Sequence, residues 1–135
     1  PDLDQALAEI VAAVGADSGT VHLLGEDGVL HLRAATKNIP APVLEVVRIV
    51  PVGKGMAGLC VERNAPVDAC NIQSDATGDV RPGAKATGLQ GAIVVPMVKD
   101  GRAVGALGVA NFRERTFTAE EITKLSEAGA RMVRE

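Results

Sequence analysis

Leu3, Leu7, Ile10, Val11 and Val14 recur at i, i+4, i+7, i+8 and i+11, the spacing of one apolar helix face, and Asp2 stands ahead of them as a cap. Gly15 closes that helix. Thr20 to Leu24 and Val29 to Ala34 read as two strands joined by Gly25-Glu26-Asp27-Gly28, a turn cluster of hairpin length. The simplest register pairs Leu24 with Val29, which sets His22 opposite His31 and Thr20 opposite Arg33. Asn38 to Pro42 is a loop, and Pro42 to Val47 is a short helix with proline in its first turn. Arg48 to Val52 is a strand.

From Val50 to Ile72 the chain predicts strand, glycine turn, short helix, proline-broken turn and strand, and this stretch forms the expected rim of a ligand pocket. Gly53, Gly55 and Gly58 let the backbone take positive φ and approach a neighbour or a bound molecule closely. Met56, Leu59 and Cys60 give the following helix one apolar face, and Asn64 and Pro66 end it. Its N–H groups, at a glycine-led start, suit an anion or a polar ligand group. Gln73 to Gln90 is polar, rich in Gly and Asp and broken by Pro82, and a segment of this kind inside a compact domain reads as a lid.

Ala92 to Val98 and Ala103 to Phe112 are apolar at nearly every position and flank Asp100-Gly101, a two-residue hairpin turn. Both faces of that hairpin are therefore expected to be covered, with Gly105 and Gly108 marking close approach. Thr118-Ala119-Glu120-Glu121 is a capping box, with Phe117 and Ile122 at the staple positions. Ile122, Leu125, Gly129, Met132 and Val133 then line one face of a last helix.

The 135 residues fit one domain with a core of its own, and a net charge of −3 without a basic run makes nucleic acid and anionic membranes unexpected partners. The longest apolar run is too short to span a bilayer. Two cysteines in no framework spacing fit a reducing, cytoplasmic setting. With no Met at its start, the chain reads as a piece of a larger protein. With no Trp or Tyr and only Phe112 and Phe117, stacking is a poor basis for recognition. His22 and His31 lack neighbouring ligands for a structural metal, so no metal site is expected.

The segments V-G-K-G-M-A-G from Val52, N-A-P-V-D-A-C-N-I from Asn64, V-V-P-M from Val94, A-V-G-A-L-G-V from Ala103 and F-T-A-E-E from Phe117, in that order, resemble a GAF domain over nearly the whole chain. The resemblance implies an α+β fold: a central antiparallel sheet with the terminal helices on one face and a small-molecule pocket under a lid on the other. It also implies a regulatory sensor module of a signal-transduction protein, such as a two-component system, with an attached output domain and a homodimer formed through the terminal helices. A second reading is a module whose pocket has collapsed and which serves dimerisation and signal relay.

The ligand is left open by the fold. Relative to cyclic-nucleotide members, Asn111, Phe117 and Glu121 match, but Phe112 and Ile122 depart from the pattern. No His adjoins Cys60 or Cys70, as bilin attachment requires, and His22 and His31 are expected outside the pocket, which disfavours haem. The free methionine sulfoxide reductase branch carries a cysteine in the turn where this chain has Ala57, and Gln73 to Gln90 contains none, so no catalytic role is expected. The expected ligand set is Gly53, Gly55, Met56, Ala57, Cys60, Asp68, Cys70, Asn71, Asp75, Arg81, Lys85, Thr87 and Asn111. Within it Asn71 and Asp75 orient polar groups and Arg81 or Lys85 neutralises a compact acidic effector.

Overall fold

A computed structural model describes residues 2–69 and 88–134. Among them six strands form one antiparallel sheet in the order β3-β2-β1-β6-β5-β4. The strands are β1 (Ser18–Leu24), β2 (Val29–Ala35), β3 (Ile49–Pro51), β4 (Val67–Ala69), β5 (Gly91–Lys99) and β6 (Arg102–Asn111). The helices are α1 (Leu3–Ala13), α2 (Ala41–Val46), α3 (Gly55–Arg63) and the last helix, here α4 (Ala119–Val133).

Local signals set most element ends as expected. The Asp2 carboxylate accepts the Gln5 N–H at 3.2 Å, and both bonds of the capping box form between Thr118 and Glu121. Asn64 ends α3 at φ 50°, a left-handed position that Asn tolerates. Asp100 and Gly101 both take positive φ, as the two-residue β5–β6 turn requires.

The first hairpin differs from expectation by one residue. The Gly25 N–H donates to the Val29 carbonyl, so three residues, not four, lie in the loop, with Gly28 at φ 81°. A left-handed glycine at the end of a three-residue loop costs little and shifts the register. His31 therefore pairs with Leu23, and His22 pairs with Leu32. A further irregularity between Val21 and His22 sets Thr20 opposite Ala35. The two histidines consequently point to opposite faces of the sheet, because a one-residue shift inverts side-chain direction.

α1 and α4 pack on one face. Leu7, Ile10, Val11 and Val14 of α1 meet Leu125, Ala128, Met132 and Val133 of α4 over Val21, Ile93, Val95, Met97, Leu107 and Val109 of the sheet. The cross-strand row Val21–Leu107–Val95 shows the parity: these residues point to the helices. Met56 and Cys60 of α3 pack with Val67, Leu89, Ala92 and Ala110 on the opposite face. Gly58 sets the distance of α3 from β3, since a Cβ there would stand 2.3 Å from the Pro51 carbonyl oxygen.

Candidate ligand-binding site

Strand β6 reads A-L-G-V-A from Ala106 to Ala110. Its large residues, Leu107 and Val109, enter the helix-side core, and its small residues, Ala106, Gly108 and Ala110, lie on the other side. Small residues at the middle of a sheet cannot fill the space above it, and a cavity of about 170 Å³ opens there. Gly108, Ala110, Ala92 and Val94 lie along its floor. Its walls are Ile39, Val43, Val46 and Val47 around α2, Val50 of β3, Gly55, Met56 and Ala57 at the start of α3, and Leu89.

Strand β1 contributes Ser18, Thr20 and His22, three alternate residues that share the cavity face. Their partners across the strand are Ala110, Gly108 and Ala106, the small residues of β6. Ser18 is 3 % exposed and His22 4 % exposed. The His22 Nε2 lies 2.8 Å from the Val47 carbonyl oxygen. A carbonyl only accepts, so Nε2 carries the proton. Burial lowers the ring's pKa below its ordinary value, against a smaller opposing effect of the Val47 bond, and holds the ring neutral. Among the described residues, Nδ1 and the Ser18 and Thr20 hydroxyls have no hydrogen-bond partner.

The expected ligand set divides. Gly55, Met56 and Ala57 line the cavity, and no side chain caps the start of α3, so its first N–H groups stand at the cavity wall. Gly53 and Cys60 do not line it. Gly53 packs by Glu62, and Cys60 is fully buried under α3, where desolvation pushes its thiol up to about 12. Asp68 is exposed on β4, opposite Ile93, and so lies on the parity that faces away from the cavity. Asn111 is likewise turned to the helix side: its amide donates to the Gly15 carbonyl at 3.0 Å and to the Asp17 carboxylate at 3.2 Å. Its carbonyl accepts from Arg115, which also bonds the Val14 carbonyl and the Glu121 carboxylate. Cys70, Asn71, Asp75, Arg81, Lys85 and Thr87 lie outside the described residues, as does most of the lid stretch. Its described end places Leu89 on the cavity.

His22 corrects the expectation that both histidines lie outside the pocket. The usable signal was the match in parity between Ser18, Thr20 and His22 on β1 and the small residues of β6. That match is visible only once the two strands are known to be neighbours. His31 is bound instead to Asp27 at the hairpin turn, 2.8 Å away. Among the described residues, no group of three or more His, Cys, Asp or Glu side chains is placed to hold a metal ion.

The family model of the GAF domain matches residues 2–132. The chain belongs to the GAF domain family. No curated protein matches it. Among solved structures, this GAF domain is similar to that of a phosphoenolpyruvate-protein phosphotransferase from Acinetobacter, at 22 % identity over 96 % of this chain and 76 % of that one, with a TM-score of 0.79. It is also similar to the free methionine-R-sulfoxide reductase of Neisseria meningitidis, solved with its substrate, at 20 % identity over 94 % and 71 % of the two chains and a TM-score of 0.76. A third is a domain of a two-component sensor histidine kinase protein from Sinorhizobium meliloti, at 17 % identity over 95 % and 83 %, with a TM-score of 0.74. At these identities the likeness is one of fold. GAF domains are regulatory sensor modules, and the sheet with its terminal helices on one face is the architecture this one shares with its neighbours.

Proposed function

We propose that this GAF domain is a ligand-binding sensor, and that its site is the cavity between the sheet, α2 and the start of α3. One observation carries the reading: an aliphatic cavity floored by small residues, onto which one strand turns two hydroxyls and a histidine, and of their polar atoms only the His22 Nε2 has a protein partner among the described residues. A pocket of this kind binds a small molecule through its walls and orients it through few polar groups. Its size suits a compact ligand, because an apolar cavity of roughly 150 Å³ accommodates benzene. No charged side chain lines it among the described residues. The cations expected to receive an acidic effector, Arg81 and Lys85, lie outside those residues, and the described walls fit an uncharged ligand better.

The domain is non-catalytic in this reading. Ala57, in the first turn of α3, stands where the resemblance to the reductase branch would put a cysteine, and the buried Cys60 is held as the unreactive neutral form. Among the described residues no hydroxyl is hydrogen-bonded to His22 to act as a nucleophile. Signal transfer to an output domain, and pairing with a second copy in the cytoplasm, would use α1 and α4, which lie side by side at the two ends of the chain.

Native mass spectrometry of the protein as purified, beside a denatured sample, tests the reading with the pocket-filling variant Ala57→Leu as control. The expected result is an extra mass on the folded wild type that denaturation removes and the variant lacks. A ligand-free wild type that also ignores small apolar probes would favour the collapsed, dimerising module instead.

A further inference from the structure

The polar groups of the cavity are of two kinds, and they sit on different elements. At the start of α3 the groups are backbone donors. On β1 they are the hydroxyls of Ser18 and Thr20 and the ring of His22, whose Nε2–H is already committed to the Val47 carbonyl. That bond decides the tautomer, and with it the role of the other nitrogen. A neutral ring that donates from Nε2 has only a lone pair at Nδ1, so Nδ1 can accept and cannot donate. Leaving such an acceptor unpaired in an apolar cavity costs free energy, and a ligand that supplies a donor recovers it. The hydroxyls two and four residues away can take either part and extend the stripe.

Resting on the sensor reading above, we infer that the stripe Ser18, Thr20 and His22 selects a hydrogen-bond-donating head group, a hydroxyl or N–H, carried on a compact uncharged aliphatic body. The body lies against Val43, Val47 and Val94. A carboxylate is disfavoured at this stripe, because it would bring a second lone pair toward Nδ1 and find no cation among the described residues of the wall. The His22–Val47 bond has a second consequence. It ties the wall formed by α2, which has no buried residue of its own, to the strand that reads the ligand.

Three probes of matched shape separate the alternatives: cyclohexanol, which donates and accepts, cyclohexanone, which only accepts, and methylcyclohexane, which does neither. Cyclohexanecarboxylate tests the acidic class. Each is titrated into the wild type, followed by amide and methyl NMR shifts, and into His22→Leu and Thr20→Val. His22→Leu removes the Nδ1 acceptor and leaves an apolar side chain of similar size, and Thr20→Val keeps the shape and removes a hydroxyl. The wild type should bind cyclohexanol about five- to tenfold more tightly than cyclohexanone, the effect of one satisfied hydrogen bond. His22→Leu should reduce that preference to about twofold or less while still binding methylcyclohexane, which shows that the pocket remains folded.

Equal affinity for the alcohol and the ketone would overturn the inference and leave the pocket standing. So would a preference that survives in His22→Leu, or tighter binding of the carboxylate. Failure of every probe to bind the wild type would overturn the inference together with the sensor reading.

Discussion

His22 is buried in a cavity without a charged neighbour among the described residues, and its ring is kept neutral there. This links the fold to pH. The unfolded chain takes up a proton at this histidine near its ordinary pKa of 6.5, whereas the folded chain resists it until the pH is lower. Between the two values the unfolded state holds more protons, so stability is full above about pH 6.5 and declines as the pH falls toward the folded value. Urea midpoints at pH 7 and pH 5 should therefore differ more for the wild type than for His22→Gln, a comparison that cancels all other groups. Equal differences would remove the buried neutral ring from the account. Glu121 and Asp27 have pKa values lowered below the ordinary carboxylate range, chiefly by the Thr118 N–H and by His31 respectively, and their contributions are lost only in more acidic solution. The position of His22 was hard to read in the chain because it depends on parity. Which face His22 takes is set by the pairing of β1 with β6, strands far apart in the chain, whereas the loop after Leu24 decides only the face of His31. By contrast, Gly55 and Ala57, which line the cavity, were legible as pocket-rim residues, since a glycine-led helix start carries its own local signal.

At the level of elements, the terminal helices meet through Arg115. Its guanidinium bonds the Val14 and Gly15 carbonyls at the end of α1, the Asn111 side chain at the end of β6 and the Glu121 carboxylate in the first turn of α4. It also lies over the Phe117 ring, 4.2 Å from the centroid. The α1 dipole favours the cation at its C-terminus, and the α4 dipole favours the Glu121 carboxylate at its N-terminus. Arg115→Ala should lower the stability by about 1.5–3 kcal/mol, the range for hydrogen bonds to a charged group, while the exposed Arg113→Ala should change it by less than about 0.5 kcal/mol. Urea unfolding of the two variants measures the contrast, and equal losses would show that the junction is not stabilising. The capping box and the Asp-Gly turn were legible because each is made within a few residues. The junction was not: Asn111 looked like a pocket residue, and only the pairing of β6 with β1 turns it to the helix side.

For the whole molecule, one alternation decides where the core ends and the site begins. In the middle strands large residues fill the space under α1 and α4, and the small residues between them leave the other face open. The order of elements and the covered hairpin were legible from periodicity, whereas the terminal helices sharing one face came with the resemblance to the GAF domain, the family whose model matches residues 2–132. The chemistry of the ligand was less so, because the polar stripe Ser18, Thr20 and His22 meets the small residues of β6 only through long-range strand pairing, which has no local signal. Methyl NMR of the whole protein with cyclohexanol tests the central claim most directly. The account predicts shifts at Val43, Val47, Met56 and Val94 and none at Leu125, Val95 or Leu107, which face α1 and α4. Shifts confined to the helix side, or no saturable shift anywhere, would contradict it.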